Sequence, residues 1–383
     1  MKKHIRYTMV VLAGMLLLWG GSAMASETRI FSMGKTGRFT HDNSNLQLFP
    51  GSLYRYNNLI ITEMRVKNDE DSFSAGIHLP LGLRALGAIY MNSTIDVPVP
   101  EIAGSGLSFS DATDVLVAFK VGENNLGLRV SFAFENNDQT TDSTISAISE
   151  SASYFEFAGG VSNDRYDFGA YFGLPSLESK IGSATTTWEG LGFGVAGRFF
   201  LGPENGPMQY VPVVVINQFS TDLVRDLVDA TSSFLDFSMG VGIHYQLDES
   251  NLVVLGTEIF GIRQNVLDAA NVGKETVSVT NMPAFYLGGE TRAKRWLLLR
   301  LGATHEIQET KTTFRLPSGE KTETSKRDSK FGVSVGVGIE LGRFLLDLDI
   351  NDNFLFEGPD FISGQGSDSV NDFVNRLSIS YNF

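Results

Sequence analysis

The chain has 383 residues and no cysteine. Disulfide staples and thiolate-held metal sites are therefore excluded. Only five histidines are present, and neither a metal nor a cofactor is expected. Basic residues are scarce, with 30 Lys and Arg against 44 Asp and Glu, for a net charge of −14. That balance argues against nucleic acid as a partner and against a basic membrane-surface protein. Beyond Trp19 no uninterrupted apolar run approaches the ~18 residues of a membrane helix. If the chain spans a membrane, a closed barrel is the remaining way to pair every backbone group within hydrocarbon.

The N-terminus carries an export pattern. Lys2, Lys3 and Arg6 form a basic start, Met9 to Trp19 is apolar, and Ala23-Met24-Ala25 fits a small-x-small cleavage site. Residues 1–25 are expected to be a signal peptide, with the mature chain starting at Ser26. The other end alternates with period 2. Leu377, Ile379, Tyr381 and Phe383 take one face, and Ser378, Ser380 and Asn382 the other. A terminal aromatic on such a strand resembles the sorting signal of bacterial outer-membrane barrels, which would make the barrel-assembly machinery a partner through Phe383.

Alternation fills the middle of the chain. Leu126, Leu128, Val130, Phe132 and Phe134 oppose Gly127, Arg129, Ser131, Ala133 and Glu135. The runs from Leu235 to Leu247 and from Phe331 to Leu341 behave alike. About sixteen such segments are found, the first near Leu59 and the last near Asp372, each long enough to cross a bilayer when tilted. Connections alternate in length. Long ones are expected over 94–112, 136–150, 175–185, 221–232, 266–275, 311–328 and 357–371, and short ones at sites such as Gly342-Arg343. This is the asymmetry of tight periplasmic turns and longer outer loops. The fold expected is all-β, a transmembrane antiparallel β-barrel of about 14–16 strands over residues 59–383. It would sit in the outer membrane of a Gram-negative-type bacterium, in contact with outer-membrane lipid. Residues 26–58 would be a periplasmic tail or a plug.

The residues preceding the first strand are Ser32-Met33-Gly34, Gly37, Asp42-Asn43-Ser44-Asn45 and Phe49-Pro50-Gly51. This opening resembles the outer-membrane barrels related to the long-chain fatty-acid transporter, including the PorV-like barrels of the type 9 secretion system. Phe49-Pro50-Gly51 stands where those chains often carry Asn-Pro-Ala. The resemblance implies a barrel usually of fourteen strands, with an N-terminal segment in the lumen that includes Met33, Gly34, Phe49, Pro50 and Gly51. Fourteen would remain here if Leu59 to Leu81 folded inside or at the rim.

Candidate chemistry is sparse. Lys120, Arg129, Arg198, Arg300, Lys330 and Arg376 share the polar faces with Glu156, Asp236, Glu258, Glu290, Glu306, Glu340, Asp347 and Asp349. They read as a lattice of interior ion pairs or as a polar conduit. The Gly342-Arg343 turn would set Gly338 opposite Asp347 and Gly336 opposite Asp349. Asp236, Ser238 and His244 carry the letters of a hydrolase triad, but Ser238 and His244 are three same-face steps apart on one strand. No enzyme is expected. In the outer loops, Leu223, Val224, Leu227 and Val228 fall on one side of a possible helix over 222–230, a candidate ligand-catching lid. The function expected is passive uptake of hydrophobic small molecules. The alternative is a non-transporting scaffold or secretion-system accessory with a protein partner.

Overall fold

Sixteen strands close into one antiparallel barrel in the computed structural model, which describes residues 26–65, 72–92, 112–139, 148–181, 184–203, 206–225, 230–270, 272–350 and 374–383. The first eight strands are β1 (Leu59–Arg65), β2 (Ser72–Gly82), β3 (Ala85–Asn92), β4 (Ala112–Val121), β5 (Asn124–Gln139), β6 (Ile148–Asn163), β7 (Tyr166–Ile181) and β8 (Ala184–Phe199). The others are β9 (Met208–Arg225), β10 (Ala230–Asp248), β11 (Asn251–Ala269), β12 (Gly273–Lys294), β13 (Leu297–Arg315), β14 (Lys321–Leu341), β15 (Phe344–Ile350) and β16 (Val374–Asn382). Each strand pairs with its sequence neighbours, and β1 pairs with β16 to close the ring. Among the described residues no helix is long and apolar enough to cross a membrane.

The alternation decides which face goes where. Leu126, Leu128, Val130 and Phe134 of β5 are exposed outward, while Arg129, Ser131 and Ala133 are buried inward. The same exposed apolar row recurs around the wall, as in Phe155 and Phe157, Leu191 and Phe193, and Leu299 and Leu301. A soluble protein would bury such a belt, whereas a bilayer covers it.

Three expectations are corrected. Residues 59–65 and 72–81 lie in the wall rather than the lumen, so the count of about sixteen strands holds and the fourteen implied by the resemblance does not. β1 is registered from Leu59↔Asn382 to Arg65↔Arg376 on one side and from Leu59↔His78 to Arg65↔Ser72 on the other. Removing β1 and β2 would leave β16 and β3 with unpaired edges, so the wall has sixteen strands and not fourteen. Several expected loops are also strand. β7 runs to Ile181, β11 to Ala269 and β13 to Arg315, and β14 starts at Lys321. The extensions of β11, β13 and β14 lose apolar alternation because both faces meet water beyond the belt, yet their ladder continues, as in Lys311↔Ser325 and Thr313↔Glu323. Finally, residues 222–225 are not helical but continue β9.

The turn at Gly342-Arg343 behaves as the spacing predicts, with Gly338 opposite Asp347 and Gly336 opposite Asp349. Gly342 adopts φ +69°, the left-handed region that favours glycine in a tight turn.

Residues 26–58 fold inside the wall. A short helix, α1 (Glu27–Ser32), is followed by short 3-10 helices at Thr36–Phe39, Asn43–Leu46 and Pro50–Arg55. The side chain of Ser26 caps α1, accepting from the Arg29 N–H at 3.0 Å.

Candidate functional site: the lumen and its inner segment

The inner segment occupies the short-turn half of the lumen, and glycine makes the room. A Cβ on Gly127 would fall on the Pro50 backbone, one on Gly169 on the Leu48 carbonyl, and one on Gly302 on the Gly34 N–H. On Gly288 it would lie 2.6 Å from the Met33 carbonyl, and on Gly336 it would meet Ser32. Each of these glycines takes a lumen-facing position near the short-turn end of its strand. The wall thus forms a cradle that lets backbone lie on backbone.

Apolar side chains of the segment complete the fit. Met33, Phe39 and Phe49 pack with Ala196, Val213, Val215, Leu252 and Val254 in one buried cluster. Leu46 and Leu53 pack with Leu86, Ala88, Leu116 and Ala118 in another. Met33, Gly34, Phe49, Pro50 and Gly51, singled out from the sequence, all lie in this packed region. The Gly34 N–H donates to Ser334 Oγ at 3.1 Å, and a Cβ on Gly51 would stand 2.6 Å from the Asn125 carbonyl.

Charge pairs bind the segment to the wall. Arg29 forks onto Glu290, with Nε to Oε2 at 2.9 Å and Nη2 to Oε1 at 3.0 Å. Arg300 donates to the same Glu290 at 2.6 Å and to Asp347 at 2.6 Å, and Ser26 Oγ donates to Asp347 at 3.0 Å. Asp167 accepts from Arg198 and from Arg55, each at 2.9 Å. Arg198 also donates to the Thr40 carbonyl at 2.6 Å and stacks over the Phe49 ring, 4.7 Å from its centroid. Arg38 reaches Glu258 at 3.0 Å and Ser238 at 2.9 Å. Glu27 receives Arg65 and Arg376, each at 2.7 Å. The interior charges therefore form a paired lattice. Ser238 belongs to it as a partner of Arg38. The inner arginines gave no distinct signal in the sequence, because their partners lie on strands up to 261 positions away.

Protonation inside the segment follows from this packing. Burial opposes the charge on Arg29, but Glu290, Asp42 and Asp347 outweigh it and hold its pKa above the usual value. Burial pushes Asp42 up to about 6, against the pull of Arg29 and Ser44. Burial, aided by the Arg55 and Arg198 guanidiniums, pushes His41 down to about 4 despite its contact with Asp167.

On the long-loop side of the segment lies a cavity of about 470 Å³. Its floor is built from Phe31, Lys35, Arg38 and residues 43–48, and its wall includes Phe73, Tyr90, Asp114, Leu116 and Arg129. The size is that of a small-molecule site, with greasy and charged groups side by side. Lys35 sits at its edge in the left-handed region (φ 58°), its ammonium 5.9 Å above the Phe31 ring. Among the described residues no cluster of His, Asp and Glu is placed to hold a metal.

The described part of the candidate lid, residues 222–225, is strand and does not line this cavity. Leu223 and Val224 lie in β9, registered with Trp188 and Thr187 of β8, whereas Leu227 and Val228 lie outside the described residues. Residues 1–25, expected to be a signal peptide, also lie outside them.

No family model matches the chain, and no curated protein does. Solved structures do match. One is the CymD monoaromatic hydrocarbon channel, 9% identical with a TM-score of 0.41, covering 94% of this chain and 98% of that one. The ferric yersiniabactin uptake receptor FyuA from Yersinia pestis is 8% identical with a TM-score of 0.34, covering 85% of this chain and 79% of its own. OmpT of Vibrio cholerae is 9% identical with a TM-score of 0.30, covering 85% and 95%. At these scores the likeness adds nothing to the barrel seen directly, and the chain is assigned to no family beyond the sixteen-stranded antiparallel barrel itself.

Proposed function

We propose that the protein is an outer-membrane barrel that admits small hydrophobic molecules passively, with residues 26–58 as the plug that gates their descent. The observation that carries this reading is the cavity of about 470 Å³ floored by the inner segment and lined by Phe31, Leu46, Leu48, Phe73, Tyr90 and Leu116. A molecule entering from the long-loop side meets these apolar side chains there, alongside paired charges such as Arg129 with Asp114 and Arg65 with Glu27. Kinship with the fatty-acid transporter barrels rests on the residues before β1, together with the barrel pattern and the overall length. The exposed apolar belt supports a membrane location, and Phe383, whose N–H donates to the Asn58 carbonyl at 3.0 Å, is the proposed sorting residue.

The test is uptake of a fatty acid or an aromatic hydrocarbon by liposomes carrying the protein. Faster uptake than by empty liposomes supports the reading, and equal rates end it. The density of ion pairs holding the segment favours a second reading, a barrel that transports nothing and anchors an envelope or secretion protein. Affinity purification would then recover a stoichiometric partner.

A further inference from the structure

One stretch of the outer wall differs from the rest of the belt. Across β10 to β14 two rows of outward-facing residues lie in register. The upper row runs Val241, Thr257, Phe285, His305, Phe331, and the lower row runs Ile243, Leu255, Leu287, Ala303, Val333. Ala303, a small residue, lies one row below His305. Together these rows enclose a groove of about 380 Å³ on the membrane face, bordered by Leu255, Leu287, Phe285 and Phe331. Just outward, the ladder breaks on both β11 and β12, between Glu258 and Gly261 and between Asn281 and Ala284. The freed Ile259 and Met282 turn outward and are at least half exposed, raising the rim of the groove.

The long-loop end of the groove is polar. His305 stands between the Phe285 and Phe331 rings, 6.5 and 6.3 Å away, and its Nε2 lies 2.9 Å from Ser329 Oγ. Of the other described histidines, His41 lies in the inner segment and His78 and His244 face the lumen, so His305 is alone on the outer face. Two residues beyond Ser329 on that face is Arg327, largely exposed and 3.5 Å from Glu309. An aromatic pair, an imidazole, a hydroxyl and a guanidinium, the last paired with the Glu309 carboxylate that a phosphate would displace, stand where the apolar belt gives way to charged strand.

We propose that this groove seats one acyl chain of a phosphorylated membrane lipid, whose phosphate is received by Arg327, His305 and Ser329. The occupant follows from the surroundings. The groove is continuous with the apolar belt, so hydrocarbon covers it in a bilayer, and the cation at its outward end complements a phosphate at the interface. The inference rests on the membrane placement of the wall and is independent of any passage through the lumen.

The full-length mature barrel, inserted into vesicles and then extracted into detergent, would be titrated with lipid A and separately with diacylglycerol, and bound lipid read by native mass spectrometry. Wild type is expected to retain one lipid A and no diacylglycerol. Ala303→Phe fills the groove floor and Arg327→Glu repels the phosphate. Each is expected to weaken retention about tenfold. Leu191→Phe, on the outer face of β8, should leave it unchanged. Equal retention by all four proteins, or equal retention of diacylglycerol, overturns the proposal. A barrel that inserts but holds no lipid A overturns it alone, whereas one that fails to enter vesicles also overturns the membrane placement.

Discussion

Two sets of lumen-facing glycines have been put to different uses. Under the inner segment, at Gly127, Gly169, Gly288 and Gly302, the space a Cβ would need is taken by backbone atoms of residues 33–51. Elsewhere the same space is taken by the wall's own rings, with Tyr90 over Gly76, Tyr154 over Gly173, Tyr171 over Gly194 and Phe219 over Gly192. The first set builds a socket for a separate piece of chain. The second lets aromatic rings lie flat and thins nothing for a visitor. The first set marks where the inner segment is seated, whereas the second set packs the wall's own rings, of which Tyr90 lines the cavity and Tyr154, Tyr171 and Phe219 form a separate packed cluster.

The largest effect expected on this contrast comes from charge. The Arg198 and Asp167 side chains are both fully buried. Arg198→Met leaves Asp167 with Arg55 and His41 alone and removes the donor to the Thr40 carbonyl. Loss of one partner of a buried pair costs about 3–5 kcal/mol. Urea titration followed by proteolysis of the inner segment should show release at markedly lower denaturant, and an unchanged midpoint would mean the segment is not held there.

Glycine substitutions sharpen the comparison directly. Gly169→Ala forces the Leu48 backbone away, an overpacking cost of about 1–3 kcal/mol, and should free the segment before the wall unfolds. Gly159→Ala, whose nearest neighbour is a Leu128 methyl at 3.7 Å, should be neutral or stabilising by less than about 1 kcal/mol. Similar losses for both would erase the distinction between socket and ordinary strand glycine.

A smaller effect is set by pH. His41, held at about 4 against an ordinary 6.5, contributes fully above 6.5 and loses its contribution as pH falls toward 4. Asp42, raised from 3.8 to about 6, does the reverse, contributing fully below 3.8 and fading as pH rises through about 6. The two oppose each other in wild type. Asp42→Asn leaves His41 unopposed, so protease access to the segment should rise more steeply between pH 6.5 and 4 than in wild type. Identical profiles would contradict the assignment. The smallest change is expected outside the belt, where Lys311→Met removes an exposed pair with Glu323 and should not move the unfolding midpoint.

Much of the wall was legible before any coordinates. Alternation located the strands wherever one face meets lipid and the other the lumen, as in Leu126 to Phe134, and the Gly342-Arg343 turn fixed a register to the residue. Legibility failed where that contrast vanishes. The strand at 321–328 is wet on both sides and reads as loop, although Lys321↔Arg315 to Asp328↔Gln308 are paired. Asp222 to Arg225 reads as helix because four residues with two apolar neighbours fit either period. The interior lattice was half legible. The wall charges could be placed on the polar face, but their partners Arg29, Arg38 and Arg55 come from a segment without periodicity. The socket glycines did carry a signal, a concentration at lumen positions near the short turns, which is meaningful only once strand direction is known.

The absence of cysteine offers the most direct test of where the inner segment lies. Ser44 is exposed toward the cavity, and Ser52, in the same segment, is fully buried. Single variants Ser44→Cys and Ser52→Cys would be treated with a small membrane-impermeant maleimide, on intact cells and on purified barrel. Cys at 44 is expected to react from the cell exterior, and Cys at 52 to stay unlabelled in both settings until the protein is denatured. Rapid labelling at 52 on the purified barrel, with none at 44 on intact cells, would place the segment outside the lumen and contradict the divided interior.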